Sequence, residues 1–151
     1  LILAAAGLRR LGFADRISVA IDVTACVPAP GQGIIAIETR TEDRDTLAAL
    51  TPVNDTAATA ALTAERALVR VLGGGCQVPI GAFAETLDGR LHLRAVVASL
   101  DGSQMLRRAA SQAVESADAL GASVAAGLLE DGAGPILQAA QDSATQETGD
   151  T

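Results

Sequence analysis

The sequence predicts an α+β fold: a C-terminal domain of a three-stranded antiparallel sheet with helices on one face, preceded by partial α/β domain pieces. Three observations lead there. Residues 80–112 alternate with a period of two and contain two turn signals, Asp88-Gly89 and Asp101-Gly102. Helix-spaced apolar stretches flank that run, at 55–72 and 116–130. Residues before Pro52 form no comparable unit. The expected division is therefore 1–51, tail portions of incomplete α/β body domains; 52–141, the α+β domain; and 142–151, a disordered tail.

Composition bounds what such a chain does. Of 151 residues, 49% are hydrophobic and 19% charged, enough for a packed core and too apolar for wholesale disorder. With two Phe and no Tyr or Trp, that core is aliphatic. Eighteen acids against 11 bases, all of them Arg, give a net charge of −7. This balance argues against a nucleic-acid surface and against a basic membrane anchor. No apolar run approaches the roughly 20 residues of a membrane span. Two cysteines make no disulfide framework, so a cytoplasmic, reducing setting is expected. Leu1 opens inside an apolar run without an initiating Met. The chain accordingly reads as a piece that enters within an element, with residues needed for activity lying before it.

The elements follow in order. Residues 1–10 are expected to be the last turns of a helix, with Gly12 its terminator. Ile17–Ile21 alternates weakly, like a short strand. Pro28-Ala29-Pro30-Gly31-Gln32-Gly33 is a loop of restricted shape, because two prolines and two glycines in six residues fit neither helix nor central strand. Ile34–Thr39 has the isoleucine-rich pattern of a buried strand. A short helix is expected from Thr41 to Leu50. Asn54 or Asp55 caps the next helix, 55–72, in which Ala58, Leu62, Leu68, Val69 and Leu72 form the apolar side and Glu65, Arg66 and Arg70 the exposed one. Gly73-Gly74-Gly75 ends it, directly before Cys76. Ile80, Ala82 and Ala84 open a meander. Leu91, Leu93, Ala95 and Val97 share one face of its second strand, with His92, Arg94 and Val96 on the other, and Gln104–Ser111 makes the third strand. Ser116 caps a helix to about Glu130 with Leu120, Val124 and Leu128 in one stripe, and a shorter helix follows Gly134-Pro135.

Few residues in this sequence suit chemistry. Cys76, after three glycines and before Pro79, is either an accessible thiol nucleophile or a small buried residue at a helix end. The lone His92 has no reason to lie beside it as a base. Two Cys and one His do not complete a zinc shell, so no metal site is expected. Without Lys there is no phosphate-binding P-loop. Arg9-Arg10 is either a carboxylate-binding pair or a complement to a helix dipole, and Arg107-Arg108 is read as a solvated strand edge.

Four blocks together resemble one family: AGLRRLG at 6–12, PAPGQG at 28–33 followed by IETR at 37–40, TAERALVRVLGGGCQVPIGAFAE at 63–85, and the DG turn with its basic strand at 101–108. In this order and spacing they are similar to the C-terminal half of porphobilinogen deaminases (hydroxymethylbilane synthases). The most specific block is ERALVRVLGGGCQVPIGA, 65–82. The resemblance implies a transferase that joins four porphobilinogen molecules head to tail with loss of ammonia, giving a linear tetrapyrrole for haem and related pigments. It also implies a dipyrromethane cofactor, attached as a thioether to Cys76. Arg10 is the implied contact for the acetate and propionate groups of the oligopyrrole intermediates, with Arg9 beside it and Gln32 facing the cofactor.

An anchoring role agrees with the residues themselves. A thiolate adds once to the electron-poor methylene carbon left when ammonia departs, forming a stable C–S bond that needs no histidine base. The family's catalytic aspartate and most of its substrate-binding arginines belong to the N-terminal half, so no catalytic residue is assigned here. That missing half is the implied partner, the complete enzyme is expected to be monomeric, and this chain alone is expected to be inactive. The competing reading from another class is a small α+β ligand-binding or interaction module with a structural cysteine. A thiol hydrolase is more distant, for no base or oxyanion arrangement can be named.

Overall fold

A computed structural model describes residues 1–73 and 78–148. The α+β architecture read from the sequence is present. Three strands, β1 (Ile80–Leu87), β2 (Arg90–Ala98) and β3 (Met105–Ala113), form an antiparallel sheet in the order β1-β2-β3. The register pairs Ala82 with Ala95 and Ala84 with Leu93, so alternate residues of neighbouring strands share a face. Asp88 and Gly89 both take positive φ, the tight hairpin geometry that Asp-Gly favours.

Helices cover one face of this sheet. In chain order the described helices are α1 (Ala5–Arg10), α2 (Arg44–Leu50), α3 (Thr56–Leu72), α4 (Ala117–Glu130) and α5 (Ala133–Thr148), and it is α3, α4 and α5 that pack on the sheet. Leu91, Leu93, Ala95 and Val97 of β2 meet Leu68 and Leu72 of α3, Leu120, Val124 and Leu128 of α4, and Ile136 and Leu137 of α5 in one core. α3 and α4 approach closely because their contact is built of small residues. A methyl group placed on Gly121 would overlap the Ala64 carbonyl oxygen. An exposed ion pair, Arg70–Asp118 at 2.7 Å, spans the same helix pair.

Helix boundaries follow local chemistry. Asp55 caps α3, its Oδ1 accepting the Ala57 and Ala58 amides at 2.9 and 3.0 Å, and Gly73 ends it at φ 69°. At α1 the chain reverses through Gly12. The Gly12 amide bonds the Arg9 carbonyl and the Phe13 amide the Leu8 carbonyl, which satisfies the helix end.

Several expectations need correction. Neither Ile17–Ile21 nor Ile34–Thr39 forms a strand. An isoleucine run becomes a strand only with a neighbouring strand to bond, and among the described residues none lies beside it; Ile35 is 88% exposed. The short helix begins at Arg44 instead of Thr41, because Asp43 accepts the Thr46 amide and fixes the start there. The tail expected to be disordered from 142 is helical to Thr148, where Gln138 bonds Asp142 and the Ser143 hydroxyl bonds the Ala139 carbonyl. Ser116 stands at the N-cap position of α4 without a side-chain cap.

Candidate functional site

The segment 22–33 organises the candidate site. It begins in a turn closed by Asp22, whose carboxylate accepts the Thr24 hydroxyl and amide at 2.6 and 2.7 Å. Those bonds hold its carboxyl below the usual range, with a smaller contribution from Arg94. The chain then crosses the sheet face opposite the helices. Arg107 of β3 donates to the Thr24 and Ala25 carbonyls at 3.1 and 3.4 Å, and Val27 lies over Gly81 and Val96. Gly81 permits this crossing, since a methyl group there would come within 2.8 Å of the Val27 carbonyl oxygen. At the sheet edge the Pro28 carbonyl accepts the Ala82 amide at 2.9 Å, continuing the hydrogen bonding of β1 outward.

Beyond that edge the segment meets α3. The Glu65 carboxylate accepts the Gly31 amide at Oε2, 2.6 Å, and the Ala84 amide at Oε1, 2.8 Å. One side chain thus joins three pieces of the chain: α3, the edge of β1 and the Pro28–Gly33 loop. The sequence placed Glu65 on the exposed side of its helix; it is 6% exposed. Helical spacing contained the signal, because Glu65 stands four residues after Ala61, three before Leu68 and seven before Leu72, all buried. Ala61, Ala64 and Ala67 carry much of this face, so a stripe drawn through Ala58, Leu62, Leu68, Val69 and Leu72 missed it.

The other candidates fall as follows. Cys76 lies outside the described residues, which resume at Val78. Its neighbours on either side are placed: Gly73 at the end of α3 and Ile80 at the start of β1. Gln32 is exposed, and its Oε1 accepts the Ala29 amide at 3.2 Å, leaving the amide nitrogen without a partner among the described residues. Arg9 and Arg10 end α1, exposed and without an ion pair among the described residues. Gln32 therefore sits on a loop tied to both elements that bracket Cys76, while Arg10 belongs to a helix that no hydrogen bond among the described residues ties to them.

Cys26 is a free, exposed thiol on the crossing segment. His92 lies on the same sheet face, in register with Glu85, and Glu85 pairs with Arg94 at 2.7 Å. Arg108, expected to be a solvated edge residue, forms a two-pronged pair with Asp131 at 2.7 and 2.9 Å. That pair holds Arg108 above its usual pKa and Asp131 below. A separate open groove of about 610 Å³ lies between residues 33–39, α2 and the start of α3, lined by Ile34, Ile35, Ile37, Leu47, Leu50 and Leu62 among others. Its one ionisable side chain, Asp55, is engaged as a helix cap, so the groove offers apolar surface and no chemistry.

Two family models match the chain. One describes the C-terminal domain of porphobilinogen deaminase and covers residues 59–130; the other describes its dipyrromethane cofactor-binding domain and covers residues 1–48. Arg10 and Gln32 fall within the second match and Cys76 within the first. The porphobilinogen deaminase of Desulforudis audaxviator is 50% identical over 137 residues, 91% of this chain and 44% of that protein. That of Chromobacterium violaceum is 48% identical over 139 residues, 92% of this chain and 45% of its own length. The Laribacter hongkongensis enzyme is 43% identical over 139 residues, with the same coverages. The chain thus spans about 45% of the length of these relatives. Among the described residues no helix is long and apolar enough to cross a membrane.

Proposed function

Because the chain belongs to the porphobilinogen deaminase family, we propose that it is the C-terminal part of a transferase that deaminates and joins four porphobilinogen molecules into hydroxymethylbilane. The family's cofactor is a dipyrromethane. In this reading Cys76 holds it through a thioether, and residues 52–141 form the unit of attachment. Residues 1–51 belong to body domains completed by an N-terminal half that supplies proton transfer and most carboxylate binding. The setting is cytoplasmic.

The residues present suit such a group. A dipyrromethane bears acetate and propionate chains, and Arg10 is an exposed cation free of any ion pair among the described residues. Gln32 spends its carbonyl oxygen on its own loop and has two N–H donors left for a carboxylate. When bound, the cofactor supplies the anchored primer on which the chain is built. The protein's own part is to bind carboxylates at Arg10 and Gln32, against a net charge of −7 that opposes anionic ligands at a distance. Each charge-assisted bond of this kind contributes about 1.5–3 kcal/mol. The observation that carries the reading is the tie between the Gln32 loop and both elements flanking Cys76.

An intact-mass measurement on the full-length polypeptide containing this segment tests it. A dipyrromethane adduct is expected on the parent and on Cys26→Ser, and none on Cys76→Ser. An adduct that survives Cys76→Ser, or moves to Cys26, overturns the assignment. The 151-residue chain alone is expected to form no linear tetrapyrrole from porphobilinogen.

A further inference from the structure

Glu65 is the one charged side chain buried among the described residues. It sits on a helix face otherwise made of Ala61, Ala64, Ala67, Leu68 and Leu72, where a leucine or methionine would pack without desolvating a charge. Glu65 forms no ion pair among the described residues. Burial pushes its carboxyl pKa up despite the two amide bonds, so ionising it here works against stability. What a carboxylate offers at this position is two acceptor oxygens set apart on one rigid group. Two backbone amides from separate segments use them.

The segments explain the need. Ala82 and Ala84 turn their amides to the free edge of β1, and the Pro28 carbonyl takes only the first. The loop itself contains two prolines and has few amides with which to anchor. Gly31, at φ 73°, turns its amide inward toward α3, where a side chain on it would touch Leu62.

We propose that Glu65 is a positioning residue: by accepting the Gly31 and Ala84 amides it fixes the Pro28–Gly33 loop, and with it the Gln32 amide, against the two elements that bracket Cys76. The loop's importance for the pyrrole chain rests on the function proposed above; the clamp itself does not.

Two measurements on the 151-residue chain test the clamp. In Glu65→Gln one oxygen becomes an NH₂ group, which cannot accept. The oxygen that remains can accept only one of the two, so one of the Gly31 and Ala84 amides should exchange at least about tenfold faster, the scale of one lost hydrogen bond to a charged acceptor, while the β2 amides of Leu93 and Ala95 keep their protection. Unchanged exchange at both Gly31 and Ala84, or equal acceleration in β2, overturns the proposal. The second measurement needs no variant and decides the matter even if Glu65→Gln does not fold. In the parent chain, the Gly31 amide proton and the Glu65 carboxyl carbon should titrate with one shared midpoint; separate midpoints, or a Gly31 signal that does not move, overturn it.

In the full-length polypeptide, Glu65→Gln should keep the Cys76 adduct and the parent's melting temperature within a few degrees but make tetrapyrrole about tenfold more slowly, again the scale of one such bond. Parent-like turnover shows that the clamp does not serve the pyrrole chain and overturns that part. If Cys76→Ser retains the adduct, the functional reading fails while the exchange result still decides the clamp.

Discussion

Residues 1–53 and 56–148 are both rich in aliphatic side chains, yet only the second region has an interior. No residue before Ala61 is buried, and Ile2, Val19, Ile21, Ile35 and Ile37 are all exposed. After it, leucines and alanines from three helices and two strands close on each other. The difference is one of matched faces. α3, α4 and β2 each present a stripe at their own period, and the stripes meet within the chain. The isoleucines at 34–37 present the same kind of surface and meet an open groove. Hydrophobicity alone therefore decides nothing about a core; a partner surface of the right shape must be within reach.

The most forceful way to break that contrast is to truncate one side chain in each region. Leu93→Ala, at a fully buried position, should lower stability by about 2–5 kcal/mol. Ile35→Ala should change it by less than about 0.5 kcal/mol. Urea titration followed by far-ultraviolet circular dichroism reads both, since the chain has no Trp or Tyr for fluorescence. A comparable loss from Ile35→Ala would mean that the N-terminal region has an interior of its own. Gly121→Ala comes next. Its methyl group collides with the Ala64 backbone and must part α3 from α4, at about 1–3 kcal/mol; a neutral effect would show that the helix contact is loose.

Legibility in the sequence divides along the same line. The meander, both Asp-Gly turns, the Asp55 cap, the Gly73 stop and the Leu120–Val124–Leu128 stripe were all readable, because each is settled by neighbours in sequence or by one periodic face. The two N-terminal strands were misread because strand formation depends on a partner that local pattern does not reveal. Glu65 was misread for a different reason. Its charge suggested solvent, and its purpose lies in two amides 34 and 19 residues away along the chain, Gly31 and Ala84. Of the candidate site, local sequence singled out Cys76, Arg9-Arg10 and the Pro28–Gly33 loop, and resemblance gave Arg10, Gln32 and Cys76 their roles, but neither revealed that residues 22–27 cross the sheet face from β3 to the edge of β1.

The two helix caps sharpen the comparison at smaller scale. Asp55 and Asp43 both accept amides at a helix start, but α3 is packed and α2 has no buried residue. Asp55→Ala should lower the urea midpoint by the equivalent of about 1 kcal/mol. Asp43→Ala should reduce helical signal slightly and leave the cooperative midpoint in place, because α2 contributes little to the transition. Equal midpoint shifts would show that α2 unfolds together with the core.

The smallest effect concerns pH, and it sets the buried clamp against an exposed turn. Asp101, in the β2–β3 turn, accepts bonds from Ser99 and Ser103 that bring its carboxyl to about 2. Its native form holds its proton less readily than the unfolded chain. The stability it contributes is present above pH 3.8 and is lost as pH falls toward 2. Glu65 has the opposite sign. Burial raises its native value above 4.5, so between 4.5 and that raised value the native state binds more protons than the unfolded one. Its contribution is fully present below 4.5 and declines as pH rises through the native value. Urea midpoints of the parent and Glu65→Gln, measured from pH 4.5 upward, should therefore shift in favour of the glutamine variant as pH increases. Asp101→Asn should track the parent across that range and diverge only on acidification. A parent advantage over Glu65→Gln that grows with pH would mean that the Gly31 and Ala84 bonds outweigh desolvation, and that the buried carboxylate stabilises the domain as well as positioning its loop.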